Sequence, residues 1–382
     1  MTHDPIRTAL SFDDVLLVPK RTSLTSRSLA DTSTELLPDI TLRIPVVSAN
    51  TPWCTGAQMA AAMARAGGLG ILHRACTLQD AAAAVRDVKA HTAGPDDSGA
   101  SVDGRGRLRV GSAIGVRGDW TERAQALVEQ GVDVLVVDVA HGHADYVLDA
   151  IAKLKATHPA VPVIGGNVAT PAGVRDLIAA GADAVKVGIG PGGICTTRAV
   201  AGAGIPQLTA VLDCARAAAE HGVPVIADGG IKTSGDLVKA LAAGATTAML
   251  GSALAGADES AAALVHHGGR PRKVSTGYTT LGMRLTLQRA AGRDVTREEL
   301  DAYLPEGVEA TYEPTGPLHR TLRPLLAGLR SGMSYSGAAT LAALREHAEF
   351  VRITPAGAAE SRPHALGRTA QMPLDYTHLA TG

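Results

Sequence analysis

One pattern recurs along this chain and narrows what it can fold into: an apolar strand, a loop, an alanine-rich amphipathic helix, and a glycine just before the next strand. The candidate strands are Ile44–Ser48, Leu69–Leu72, Leu108–Ala113, Val132–Asp138, Val161–Gly165, Ala184–Val187, Val223–Ala227 and Thr247–Leu250. They are short, β-branched and apolar on both faces, as in a parallel sheet covered by helices. Gly67, Gly131, Gly181, Gly222 and Gly244 each precede one of them, where a left-handed residue ends a helix. Eight such units in series predict the α/β class and a closed (β/α)8 TIM barrel, with an open doubly wound sheet as the alternative. A barrel uses ~250 residues as one unit, so residues 1–382 read as a single catalytic domain.

Three segments break the rhythm. Residues 92–106 are rich in Gly, Asp and Ser and read as a flexible loop. Residues 284–304 are charged and partly helical with little to bury, and read as a mobile flap over the barrel mouth. Residues 350–382 read as a mostly polar tail.

Bulk properties exclude several classes. With 36 basic and 37 acidic residues the net charge is −1, so no global field recruits nucleic acid or an anionic membrane. No apolar run reaches the ~20 residues of a bilayer span, and the start lacks the apolar core of a signal peptide. Cys54, Cys76, Cys195 and Cys214 are widely spaced with no CxxC pair, which gives neither a disulfide framework nor a zinc site and suits a reducing cytoplasm.

In a barrel, chemistry sits on the loops after the strands. The most informative loop is Gly188-Ile-Gly-Pro-Gly-Gly-Ile-Cys195-Thr-Thr-Arg198. Its glycines can turn carbonyls inward to hold a monovalent cation, and a thiolate on such a loop is a nucleophile for an electron-poor carbon. The alternative is a buried structural cysteine beside a glycine turn. Asp228-Gly229-Gly230 and Gly251-Ser252 follow the last two strands, where barrels often bind phosphate through backbone N–H groups, with Asp228 placed to accept from ribose hydroxyls; tight turns are the bland reading. Asp138-Val139-Ala140-His141-Gly142-His143 has two histidines but no third ligand of suitable spacing, so a polar rim for a dinucleotide is preferred to a metal site. No GxGxxG follows the first strand, so a nicotinamide cofactor would not be held in Rossmann fashion.

At these residues the chain resembles the IMP dehydrogenase/GMP reductase family. Phe12–Pro19, Gly67–Arg74, Gly166-Asn167-Val-Ala-Thr170, the cysteine loop, Ala227–Ile231, Pro305-Glu306-Gly-Val-Glu309 and Gly328–Met333 follow family motifs in order. The resemblance implies a purine nucleotide 5′-monophosphate as substrate, attacked at C2 by Cys195, with Thr197 and Glu306 relaying a proton. It implies Asp228 at the ribose, Gly229 beside it in the substrate site, and Gly230, Gly251 and Ser252 at the phosphate. Thr51, Trp53, Tyr278 and Thr279 would lie around the base. Asp138, Val139, Ala140, His141 and Asn167 would meet NADPH or NAD(H). Carbonyls of Gly190, Gly192 and Cys195 would hold potassium, completed by a neighbouring subunit's segment like Glu360-Ser361-Arg362, which implies a homotetramer.

The departures bear on the reaction. Most dehydrogenases of the family insert a CBS module where only residues 92–106 stand here; reductases lack it, as do some dehydrogenases. The dehydrogenase flap carries an Arg-Tyr dipeptide that activates water, and none occurs in residues 284–304, where Arg289 precedes Ala290 and Arg293 precedes Asp294. The base-contacting Asn-Met-Asp is Asn50-Thr51-Pro52, the later Met-Gly is Tyr278-Thr279, and the phosphate-binding serine is Gly193. Against this, the Asp138–His143 and Pro305–Glu309 motifs look dehydrogenase-like. The favoured expectation is reductive deamination of GMP, or of a modified guanine nucleotide such as a 7-deazapurine, to the IMP-type product. The alternatives are an IMP dehydrogenase without a CBS module, using NAD and Arg289 or Arg293 to form XMP, and a weakly catalytic nucleotide-binding paralogue.

Overall fold

The computed structural model describes residues 6–95, 97–277, 280–290 and 292–363, without the side chains of Leu287, Arg289 and Ala290. Eight parallel strands close into a barrel: β1 (Val46–Ser48), β2 (Leu69–Leu72), β3 (Val110–Ile114), β4 (Val134–Asp138), β5 (Val163–Val168), β6 (Ala184–Val187), β7 (Val225–Asp228) and β8 (Thr247–Leu250). Closure is made by β8 against β1, with Met249 opposite Val47. The eight strands are those expected, with shifted ends. Pro45 has no N–H to give the ladder, so β1 starts at Val46. The fifth strand runs on to Val168, three residues past its expected end, before the Thr170 cap.

Each strand is followed by a helix packed outside it: α1 (Ala57–Arg65), α2 (Leu78–Lys89), α3 (Trp120–Glu129), α4 (Asp145–Thr157), α5 (Pro171–Ala179), α6 (Gln207–Ala219), α7 (Ser234–Ala242) and α8 (Leu318–Tyr335). Side chains start several of them. Thr77 accepts from the Asp80 N–H, Thr170 from Gly173 with Pro171 next in line, and Thr233 forms a capping box with Asp236. The glycines expected to end helices do adopt positive φ, for example Gly131 at 84° and Gly181 at 103°. Small residues let layers approach: a Cβ on Gly70 of β2 would lie 2.3 Å from Ala60 Cα of α1.

The irregular segments are more structured than their composition suggests. The described residues of 92–106 fold back on Arg107 and Leu108, which lead into β3, through bridges Thr92–Arg107 and Val102–Leu108, and Lys89 Nζ reaches Asp103 at 2.8 Å. The expected polar tail begins with a strand, Phe350–Arg352, paired antiparallel to Val15–Leu17; residues 364–382 lie outside the described residues. The flap region contains the helices Leu281–Ala290 and Arg297–Asp301. Flanking it is a three-stranded ribbon that composition did not suggest: β9 (Ala263–His267), β10 (Arg270–Thr276) and β11 (Glu309–Tyr312), all antiparallel. Gly268-Gly269, with φ of 57° and 76°, makes the β9–β10 turn.

Candidate active site

The loops after β6 and β7 press against each other. A Cβ on Gly229, at φ 91°, would lie 2.9 Å from Pro191 Cγ, and one on Gly188 would lie 2.1 Å from the Asp228 carbonyl oxygen. Gln207, almost wholly buried, clamps the strand ends by donating to the carbonyls of Val187 (2.9 Å) and Asp228 (3.1 Å). Arg198 braces the cysteine loop from below through the carbonyls of Ile189 and Ile205.

Cys195 sits on this braced loop with its thiol donating to Thr197 Oγ1 at 3.1 Å. The segment after the flap is zipped onto it: Thr196 N–H donates to the Glu306 carbonyl and Val308 N–H to the Ile194 carbonyl, both at 2.9 Å. Cys195, Thr197 and Glu306 therefore line one cavity of ≈ 290 Å³, together with Asp138, Val139, Ala140 and Asn167. The other cysteines are poor nucleophiles. Burial pushes Cys54 up to about 11 and Cys214 up to about 12, and raises Cys76, so all three are thiols at neutral pH.

A second cavity of ≈ 520 Å³ is lined by Thr51, Trp53, Asp228, Gly229, Gly230, Gly251 and Ser252. Pro191, Gly192 and Ile194 line both cavities, as do Asp228 and Gly229, so the two meet at the cysteine loop. Trp53 is buried at 6% exposure, with its Cη2 3.1 Å from where a Gly251 Cβ would stand and its ring stacked on Tyr312. Its Nε1 is buried without a hydrogen-bond partner, although the residue lines the larger cavity. Tyr278 and Thr279 lie outside the described residues. His141 is exposed and lines neither cavity, and His143 is taken by Asp176 at 2.6 Å. Glu360, Ser361 and Arg362 end or follow the helix Pro355–Glu360 and line neither cavity of this chain. The Gly192 carbonyl accepts from Cys195 N–H at 3.1 Å and keeps a second lone pair for a cation.

The sequence reading missed Lys186, which is 2% exposed inside the barrel. Its ammonium lies 2.9 Å from Asp138 and 2.7 Å from Asp228 and also donates to Asn167 Oδ1. Asn167 Nδ2 in turn donates to Asp228 at 2.9 Å. Burial opposes the Lys186 charge, but the two carboxylates outweigh it and hold its pKa above the usual lysine value. Burial likewise opposes ionisation of Asp138, yet Lys186, Arg74 and hydrogen bonds keep its carboxyl below the usual range. One ammonium thus fixes the carboxylate expected at the cofactor and the one expected at the ribose. Lys186→Met is expected to cost roughly 3–5 kcal/mol of stability at neutral pH. Asp138's lowered pKa contributes stability that is present above its unfolded value of ~3.9 and is lost as pH falls through the folded value. Without Lys186 the buried Asp138 carboxyl takes up its proton at higher pH than in the parent, so denaturant melts should show the gap between the two proteins shrinking as pH falls, until it passes through the parent's folded value below ~3.9; a pH-independent gap would contradict the electrostatic role.

The sequence profile of the IMP dehydrogenase / GMP reductase domain matches residues 9–364. An inosine-5′-monophosphate dehydrogenase of Nitrosopumilus maritimus is 38% identical over an alignment covering 93% of this chain and 98% of that protein. A GMP reductase of Leishmania donovani is 36% identical, covering 94% and 97%. A crystal structure of a cysteine-to-alanine variant of GMP reductase from Trypanosoma brucei, in complex with guanosine 5′-monophosphate, superposes with a TM-score of 0.90 at 34% identity, covering 95% of this chain and 99% of that one. The first two alignments run over 465 and 479 positions, longer than the 382 residues here. Extra sequence thus occurs in relatives of both names, and the short 92–106 segment does not favour the reductase.

Proposed function

The chain belongs to the IMP dehydrogenase/GMP reductase family of oxidoreductases, and from that premise we propose that it reductively deaminates GMP, or a guanine nucleotide with a modified ring, at C2. The observation that carries the C2 chemistry is the convergence of Cys195, Thr197 and Glu306 on a cavity that adjoins the phosphate-and-ribose cleft at Asp228 and Gly229. The Cys195 thiolate adds to C2. Thr197 and Glu306 deliver a proton to the 2-amino group, which leaves as ammonia and keeps C2 bonded to sulfur. A reduced nicotinamide dinucleotide, when bound along Asp138, Val139, Ala140 and Asn167, supplies hydride to C2. Return of the electron pair to Cys195 Sγ releases the IMP-type product. Asp228, held by Lys186 and Asn167, orients the ribose throughout. Potassium on the cysteine-loop carbonyls and a tetramer supplying its remaining ligands belong to the same proposal.

The reductive direction rests on the missing Arg-Tyr dipeptide in residues 284–304. One observation favours the reverse reading, oxidation of IMP: the Arg284 guanidinium lies over the Tyr303 ring, 4.6 Å from its centroid, a pair joined in space though not in sequence. Release of ammonia in step with NADPH oxidation tests the reductive reading; its absence with GMP and with every ring-modified guanine nucleotide would overturn it. For the base, the support is Thr51 and Trp53, which both line the cleft and each carry a buried polar atom without a hydrogen-bond partner, the Thr51 hydroxyl and the Trp53 Nε1. A panel of ring-modified monophosphates measures that preference. We further expect 5′-monophosphates to be used at least ~100-fold better than nucleosides, the scale of one or two charge-assisted hydrogen bonds. Equal kcat/KM for guanosine and GMP would refute it.

A further inference from the structure

We propose that Gln207 is a positioning residue for the C2 chemistry: its amide sets the distance between the Cys195 sulfur and a nucleotide seated on Asp228. This rests on reading Cys195 as the nucleophile and the larger cavity as the nucleotide's cleft. Gln207 opens α6 and lines that cleft at 2% exposure. The parallel ladder between β6 and β7 ends with Val187 opposite Ala227. Beyond that pair the two chains carry different parts of the site. β6 runs through Gly188 into the cysteine loop, and β7 ends on Asp228.

Two side-chain amides take over where the ladder stops. From the helix layer, Gln207 Nε2 donates to the carbonyls of Val187 at 2.9 Å and Asp228 at 3.1 Å. From β5, Asn167 Nδ2 donates to the Gly188 carbonyl at 2.7 Å and to Asp228 Oδ2 at 2.9 Å. An amide nitrogen has two protons, so both amides are spent wholly on this junction. Asn167 is also tied to Lys186, whereas Gln207 Oε1 is buried with no hydrogen-bond partner. An idle buried acceptor is unfavourable, and a side chain that only filled space would avoid it. The contribution of Gln207 therefore lies in its two donor bonds. A reacting pair tolerates little error, and about 1 Å of misplacement can lower a rate ~10²-fold. Asp228, Gly229 and Gly230 move with β7, so a nucleotide bound there keeps its seat when the junction loosens. Cys195 moves with the loop after β6. Loss of the Gln207 amide thus shifts sulfur relative to C2 without removing a group assigned to bind the nucleotide.

Gln207→Met keeps an unbranched side chain and removes both donors. It is expected to lower kcat roughly 10–100-fold while Kd for GMP stays within about threefold of the parent's. A second readout needs no turnover. Iodoacetamide labelling of Cys195, located by peptide mass, is followed with and without saturating GMP or IMP. A base over the sulfur shields it in the parent; in Gln207→Met, nucleotide that still binds by calorimetry is expected to shield it several-fold less. Gln207→Glu covers the case in which the methionine variant does not fold. A carboxylate there repels the two carbonyls, and burial raises the pKa of such a carboxyl; once protonated it has one proton to donate. Its kcat, relative to the parent's, is expected to recover as pH falls from about 8 to about 6, a rescue that a space-filling role does not give. Shielding that depends on Gln207 in an enzyme that turns over neither GMP nor IMP would defeat the reductive reading and support the glutamine. Parent-like kcat and shielding in Gln207→Met, no rescue by low pH in Gln207→Glu, or no shielding of Cys195 by either nucleotide in the parent would overturn the proposal.

Discussion

Replacing Cys195 with alanine is expected to lower kcat by on the order of 10³-fold or more while leaving the Kd for GMP within about threefold of the unaltered enzyme. The reason is geometric. On the proposed reading the substrate's phosphate and ribose are held by groups on β7, β8 and their loops, none of which depends on the thiol. The chemistry depends on a single sulfur, because Cys195 shares a cavity with Thr197 and Glu306 while Cys54, Cys76 and Cys214 line neither cavity. The loop carries its own brace in Arg198 and Gln207, so removing Sγ does not release it. Steady-state kinetics with calorimetry on the same preparation separates the two effects. Retention of more than a few per cent of activity would remove Cys195 from the role of nucleophile.

Glu306→Gln is expected to lower kcat by roughly 10²–10⁴-fold, the range of a lost general acid–base group, with little change in KM. The substitution is a clean one here. The main chain of Glu306, not its side chain, accepts from Thr196 N–H, so the bond that zips this strand to the cysteine loop survives in the variant. What is lost is the ability to hand a proton to the departing group beside Thr197. An unchanged kcat with a raised KM would show that Glu306 binds substrate rather than moving protons.

The barrel was legible because its strands are short apolar runs bounded by helix-ending glycines, a signal local enough to read without knowing what pairs with what. The cysteine loop was legible for the same reason: four glycines, a proline and Cys195 stand within one stretch. Lys186 was not. In Ala184-Val185-Lys186-Val187 it looks like a polar interruption in a strand, and the partners that make it tolerable inside the barrel are 48 and 42 residues away, on β4 and β7. The contacts of Tyr312 were likewise out of reach, because only the closed fold brings Trp53 and Ser252 to it. The ribbon did carry a local signal, Gly268-Gly269 between two extended runs, but charge in those runs masked it. Trp53, read as a stacking surface for a base, does line the cleft, and the fold adds its contact with Tyr312.

The direction of the reaction is the point at which sequence and geometry pull apart, since the flap lacks an Arg-Tyr dipeptide while Arg284 and Tyr303 meet in space. Nicotinamide absorbance, followed with GMP plus NADPH and separately with IMP plus NAD, tests it most directly. Reductive deamination predicts loss of NADPH absorbance with GMP or a ring-modified guanine nucleotide, one ammonia released per NADPH consumed, and no NADH from IMP. Steady formation of NADH from IMP, with NADPH untouched by every guanine nucleotide offered, would contradict it and assign water activation to the Arg284–Tyr303 pair.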